Sequence, residues 1–411
     1  MKAFTEPLLS LAGFEEMTKT AEKSSGLISV TGCIDAQKSQ MIYAFGGHRK
    51  NKLIVTFGEQ KAKELYDEYS FFDKEVVYYP SKDVLFYQSD IRGNLLTAER
   101  IRALKAIREQ ERVTLVTTFD ALMNTMAPIE KMWENVLTLE QGQLLDLKKI
   151  QAALIRMGYE KEYQVQTMGQ FSVRGGILDV FPLTEENPIR IELWGDEIDT
   201  IRYFDCESQK SIENIDRVSI YPAAELVLSD EEKAGGIDKL KAEAKRVSDK
   251  LRKQMKTEEA HRVTVMADEL TEEWGELSMY AGMDAFLSYF FDERVGLLDY
   301  FKPSDSLIFF DELTRCAEQG KLTETEFSES MKQRLAMGYI LPGQMNGLFT
   351  EKEIVAKLEK YSCIALGALD NKANGLHQLG SYGIHCQSVS PYNNSCLLYT
   401  SPSPRDTERS R

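Results

Sequence analysis

The chain has 411 residues, 43% of them apolar, enough to bury sizeable cores in roughly two to four domains. A formal charge of −15 excludes a general nucleic-acid sleeve, because backbone binding needs Lys and Arg to neutralise phosphates. The opening residues lack the apolar core of a signal peptide and no apolar run is long enough to span a membrane, so the chain reads as cytoplasmic. Cys33, Cys206, Cys316, Cys363, Cys386 and Cys396 form no Cys-x-x-Cys pair or cluster with histidine, and predict neither disulfides nor zinc.

An amphipathic opening (Leu8, Leu9, Leu11, Phe14) precedes four short apolar runs, at 27–30, 53–57, 76–79 and 113–117, which read as strands. Helical patterns lie between them, at 59–69 and after Thr97, a candidate N-cap followed by Ile101, Leu104 and Ile107. Arg92, Gly93 and Asn94 read as an exposed loop. Strand and helix in alternation predict a parallel sheet with helices on both faces. The first strand feeds Gly32-Cys-Ile-Asp-Ala-Gln-Lys-Ser39, the frame of a phosphate-binding loop with Gln37 where the second glycine belongs. That glycine lets amide groups approach an anion without a Cβ in the way. Gln37 fills the space, Asp35 adds negative charge, and Lys38 and Ser39 keep their places. The reading is a degenerate loop that retains the fold.

From about Pro128 the texture changes. Asp146 caps a helix carrying Leu147, Ile150 and Leu154, with Gly158 as its stop. An alternating, turn-rich segment follows from Gln164 to Tyr221. Within it Ile189, Ile191 and Leu193 share one face of a strand, and Arg190, Glu192 and Trp194 the other, before a turn at Gly195-Asp196-Glu197. Arg and Trp on one outer face have the composition of an interface hot spot. The competing reading packs Trp194 under a loop and pairs Arg190 with Glu192. Strand-and-helix texture then resumes. A helix is predicted over 238–257, with Leu240, Ala244, Val247, Leu251 and Met255 as its apolar stripe. Its Lys250, Arg252, Lys253 and Lys256 read as a solvated face diluted by Asp249 and Glu258. Phe286 to Phe301 reads as core, 306–310 as a strand with Asp311 and Glu312 at its solvent end, and 318–337 as a helix. A strand begins at Ser362.

Arg174-Gly-Gly-Ile-Leu-Asp-Val-Phe-Pro182 followed by Pro188-Ile-Arg-Ile-Glu-Leu-Trp-Gly-Asp-Glu-Ile-Asp199 closely resembles the signature shared by UvrB and the bacterial transcription-repair coupling factors. The surrounding chain looks like the coupling factors. The resemblance implies a degenerate P-loop, RecA/UvrB-like parallel-sheet domain (1–127 and 223–345) of an α/β fold. It is interrupted by a small α+β UvrA-binding domain (128–222) and followed by the start of a third domain (346–395). Arg174, Arg190 and Trp194 are the residues implied in UvrA contact. The family also implies that the phosphate loop at Gly32, Gln37, Lys38 and Ser39 has lost its ATPase function. No catalytic residue, metal or cofactor is therefore expected here. ATP, magnesium, RNA polymerase and double-stranded DNA belong to further domains, including a helicase-like translocase. Residues 396–411 resemble the translation of a sequencing adapter and are left out of fold reasoning. The implied function is recruitment of UvrA to RNA polymerase stalled at DNA damage. The alternative is an active P-loop ATPase or UvrB-like damage-loading protein, which would have to tolerate Gln37.

Overall fold

The computed structural model describes residues 2–11, 13–45, 49–82, 93–276, 282–369 and 375–384. Arg92 and the tail at 396–411 lie outside these residues. In chain order the first strands are β1 (Gly26–Thr31), β2 (Asn51–Thr56), β3 (Val77–Tyr79) and β4 (Val113–Thr118). The inserted region supplies β5 (Leu137–Glu140), β6 (Glu160–Lys161), β7 (Gln170–Arg174), β8 (Ile177–Val180), β9 (Ile189–Trp194), β10 (Glu197–Phe204), β11 (Ser211–Ile215) and β12 (Arg217–Ile220). The chain then returns with β13 (Ser306–Asp311), β14 (Ser362–Gly367) and β15 (Gln378–Gly383).

Seven strands form one parallel sheet in the order β15-β1-β14-β13-β2-β4-β3. Its central strands read as unbroken apolar runs because successive residues enter two different cores. Ile308 and Phe310 face the core under the helices Gly93–Glu109 and Leu313–Ala336, while Leu307 and Phe309 face the one under Phe14–Lys23 and Asp35–Phe45. The strand at Ser362, expected to open a third domain, instead lies inside this sheet between β1 and β13. Its fully buried run was legible as a strand, but strand order cannot be read from an isolated apolar segment.

The insert closes on itself. Its first and last strands, β5 and β12, pair antiparallel with Leu137 opposite Ile220 and Glu140 opposite Arg217. Between them lies a six-stranded sheet in the order β11-β10-β9-β8-β7-β6, packed on the helix Leu147–Arg156 over Leu154, Phe171, Leu178, Ile191 and Ile201. Asp146 caps that helix as expected, accepting from the backbone N–H groups of Lys148 and Lys149 at 3.0 and 3.3 Å.

Three helices differ from the sequence reading. Thr97 is not an N-cap, because the helix already begins at Gly93, within the residues expected to form a loop. The helix expected from 238 starts at Asp230, where Ser229 and Glu232 form a capping box. The helix runs through Gly235 and Gly236, and a Cβ on Gly236 would stand 2.2 Å from the Phe290 ring, so glycine permits close packing there. A second helix, Thr257–Glu276, was not anticipated and packs antiparallel on the first. Met255 does not continue the apolar stripe. It has φ +63° and is 87% exposed, at the turn between the two helices.

Candidate functional site

The outer face of the inserted sheet is built on β8 and β9, whose register sets Asp179 opposite Arg190 and Ile177 opposite Glu192. Burial alternates along β9 as predicted: Ile189 and Ile191 are buried, and Arg190 and Glu192 are partly open. Trp194, at the strand end, is 84% exposed. It precedes the two-residue Gly195-Asp196 turn, where Gly195 adopts φ +66°. The reading that hid Trp194 under a loop therefore fails, as does the pairing of Arg190 with Glu192.

Arg190 instead grips the buried Asp179. Its Nε and Nη2 donate to the two carboxylate oxygens at 2.7 and 2.9 Å, and Nη2 also donates to Gln209 Oε1 at 2.8 Å. The guanidinium carbon lies 4.3 Å from the centroid of the Phe204 ring. Arg174, more open at 37% side-chain exposure, makes one bond to the same carboxylate at 3.0 Å. Two guanidiniums thus share one buried acid, and their positive charge is only half compensated. Next to them Arg202 clamps Glu192 and holds its carboxyl below the ordinary value. Beside Trp194 opens a cleft of about 570 Å³ bordered by Glu140, Glu197, Asp199, Asp216 and Arg217. The arrangement is suited to recognition: an exposed aromatic and, next to the bidentate Arg190–Asp179 pair, the partly free guanidinium of Arg174. Sequence reasoning missed Asp179, although an acid within the Ile-Leu-Asp-Val run of β8 was a usable signal.

The phosphate-loop frame lies in the other sheet. The helix there begins at Asp35, so Asp35, Ala36 and Gln37 are helical and the loop shrinks to Gly32, Cys33 and Ile34. The N–H groups of Gly32 and Cys33 donate to the carbonyls of Ala368 and Gly367 at 3.3 and 3.1 Å. Gly32 adopts φ +81°, and a Cβ there would stand 2.0 Å from the carbonyl oxygen of Ile384. Gln37 Oε1 is buried with no hydrogen-bond partner among the described residues. Ser39 donates to Glu68 at 3.3 Å. Lys38, with 1% of its side chain exposed, is surrounded by acids: Asp311 at 2.5 Å, Asp35 at 2.8 Å and Glu312 at 3.0 Å. Burial alone would depress its ammonium, but Asp311, Asp35 and Glu312 outweigh that and raise it above the ordinary value. The structure thus joins two sequence features that were read separately. It also corrects one of them: Asp311 is not at a solvent end but buried, accepting from Thr56 at 3.1 Å.

Fold and site together define an α/β module, built on a parallel seven-stranded sheet, whose inserted and mostly antiparallel sheet displays a side-chain face. Residues 137–226 match the UvrB interaction domain family. The chain is 29% identical over 309 residues to the transcription-repair-coupling factor of Bacillus subtilis (75% of this chain, 26% of that protein). It is 28% identical over 345 residues to that of Staphylococcus epidermidis (82% and 28%) and 29% identical over 342 residues to that of Staphylococcus aureus (80% and 28%). The resemblance to the coupling factors is thereby borne out, and the chain spans about a quarter of the length of these relatives. Among the described residues no helix is long and apolar enough to cross a membrane.

Proposed function

We propose that this chain is a docking module for transcription-coupled nucleotide-excision repair, and that the outer face of its inserted sheet binds UvrA. The observation that carries the reading is the unburied Trp194, displayed beside Arg174 and Arg190 within the segment that matches the UvrB interaction domain. A large aromatic left in water by its own fold is the usual anchor of a small, specific interface, and guanidiniums suit carboxylates on the partner. The action is contact rather than chemistry. Nucleotide has no part in it, since Lys38 and the loop amides are engaged within the chain. Binding of RNA polymerase and translocation along DNA are assigned to other parts of a longer protein.

Biolayer interferometry with immobilised UvrA tests this. Trp194→Ala is expected to weaken binding by about 1–3 kcal/mol with an unchanged melting temperature, because the ring buries almost nothing in the free chain. Arg190→Ala is expected to weaken binding and also to lower the melting temperature, since it strips the buried Asp179 of its bidentate partner. Parent-like affinity in both variants would remove this face from the proposal.

A further inference from the structure

The two long helices Asp230–Lys253 and Thr257–Glu276 meet in a tip at which every residue from 252 to 258 is exposed. Around that tip Lys245, Arg246, Lys250, Arg252, Lys253 and Lys256 are all exposed, and none is in an ion pair among the described residues. Among the described residues the acids that were expected to dilute the patch, Asp249 and Glu258, form no salt bridge with these cations. Six free cations in twelve residues stand out in a chain whose formal charge is −15. The helix dipole accounts for Lys250, Arg252 and Lys253 in the last turn, but not for Lys245 and Arg246 two turns earlier, nor for Lys256 beyond the helix end. Arg246, Lys250 and Lys253 follow at intervals of four and three, which aligns them along one face, away from the buried Leu240, Ala244 and Leu251.

The apex adds a second, independent feature. Lys256 N–H donates to the Leu251 carbonyl and Met255 N–H to that of Arg252, both at 3.0 Å. These are the two bonds of a Schellman helix end, and Met255 occupies its left-handed position, where glycine is favoured. A methionine held there and left in water serves no packing purpose. Apolar residues of this kind act as wedges between base steps when flanked by phosphate-binding cations.

We propose that the tip of this helical hairpin is a contact site for duplex nucleic acid, its six cations straddling phosphates and Met255 facing the base stack. The net negative charge of the remaining chain confines such contact to the tip. The site is separate from the sheet face assigned to UvrA.

Fluorescence anisotropy of a labelled 30-base-pair duplex with the full chain tests it. The parent is expected to bind with a Kd on the order of 10 µM at 50 mM salt, and to lose affinity with a log–log salt slope of about −3 to −5. The Lys250→Glu, Arg252→Glu, Lys253→Glu, Lys256→Glu variant changes only exposed side chains. It is expected to retain the parent's circular dichroism spectrum, to melt a few degrees lower because acids replace bases at the helix C-terminus, and to bind at least tenfold more weakly. Met255→Ala is expected to keep the salt slope and lose a smaller part of the affinity. A parent that leaves the duplex free at 50 mM salt, or a charge-reversed variant that binds like the parent, overturns the proposal. So does loss of UvrA binding by that variant with duplex binding unchanged, which would make the tip a protein contact.

Discussion

Glu225→Gln is expected to destabilise the chain by about 3–5 kcal/mol, the usual result of removing one partner from a buried ion cluster. Glu225 accepts from Arg100 Nε and Nη2 at 2.7 and 3.0 Å and pairs with Lys82 at 2.9 Å. Arg100 is completely buried and also donates to the Pro80 carbonyl at 2.6 Å and to the Tyr79 hydroxyl. Among the described residues, Lys82 has Asp284 as its second acidic partner. Glutamine keeps the shape but supplies no charge, so a buried guanidinium and a half-buried ammonium would face one another across an amide. The readout is a fall in the thermal midpoint on the order of 10 °C. An unchanged midpoint would mean that water, rather than Glu225, balances Arg100.

The same cluster sets an acid limit. Burial alone would raise the Glu225 carboxyl, but Arg100 and Lys82 hold it down at about 2. A folded-state value below the unfolded one, which is about 4.3, adds stability that is complete above that range and lost as pH falls toward 2. The stability difference between parent and Glu225→Gln should accordingly shrink between about pH 5 and pH 2. Denaturant titrations across that window check it, and a constant difference would contradict the assignment. The cluster also fixes where the insert rejoins the main domain: Glu225 follows β12 by five residues, while Arg100 and Lys82 come from the chain before the insert and Asp284 from the chain after it.

The two folds, and the face on β9, were legible because they rest on periodicity. The parallel strands show unbroken apolar runs, and β9 shows a strict two-residue alternation that put Arg190 and Trp194 on one face. What escaped were the partners, which depend on distant segments. Asp179 meets Arg190 only through the pairing of β8 with β9, and Lys38 meets Asp311 across 273 residues. Glu225 had a local signal, an acid within the apolar run from Ala223 to Leu228, but nothing local identifies Arg100 as its partner. The helix Thr257–Glu276 was missed because its charged positions obscure the apolar stripe of Ala260, Val263 and Ala267, which joins the core around Leu240, Ala244 and Leu251 of the preceding helix.

Lys38→Ala separates the two histories open to the phosphate loop. In a working loop the lysine holds a phosphate, so its loss abolishes nucleotide affinity and leaves the empty protein intact. Here its ammonium faces the buried Asp311, with Thr56 Oγ1 as the other donor to that carboxylate. Removing it would leave an acid buried without a counter-charge, so Lys38→Ala is expected to lose about 3–5 kcal/mol of stability with no ligand present. Lys38→Met combined with Asp311→Leu should regain most of that loss, because apolar side chains of similar volume replace a buried pair at little or no penalty. Millimolar ATP with magnesium should leave the parent's thermal midpoint unmoved, since a ligand stabilises only as RT ln(1 + [L]/Kd) and the loop amides already hold the carbonyls of Ala368 and Gly367. An ATP-dependent rise in the midpoint that vanishes in Lys38→Ala would show the opposite: that the acids around Lys38 yield to a phosphate, and that the ion cluster is the resting state of a nucleotide site.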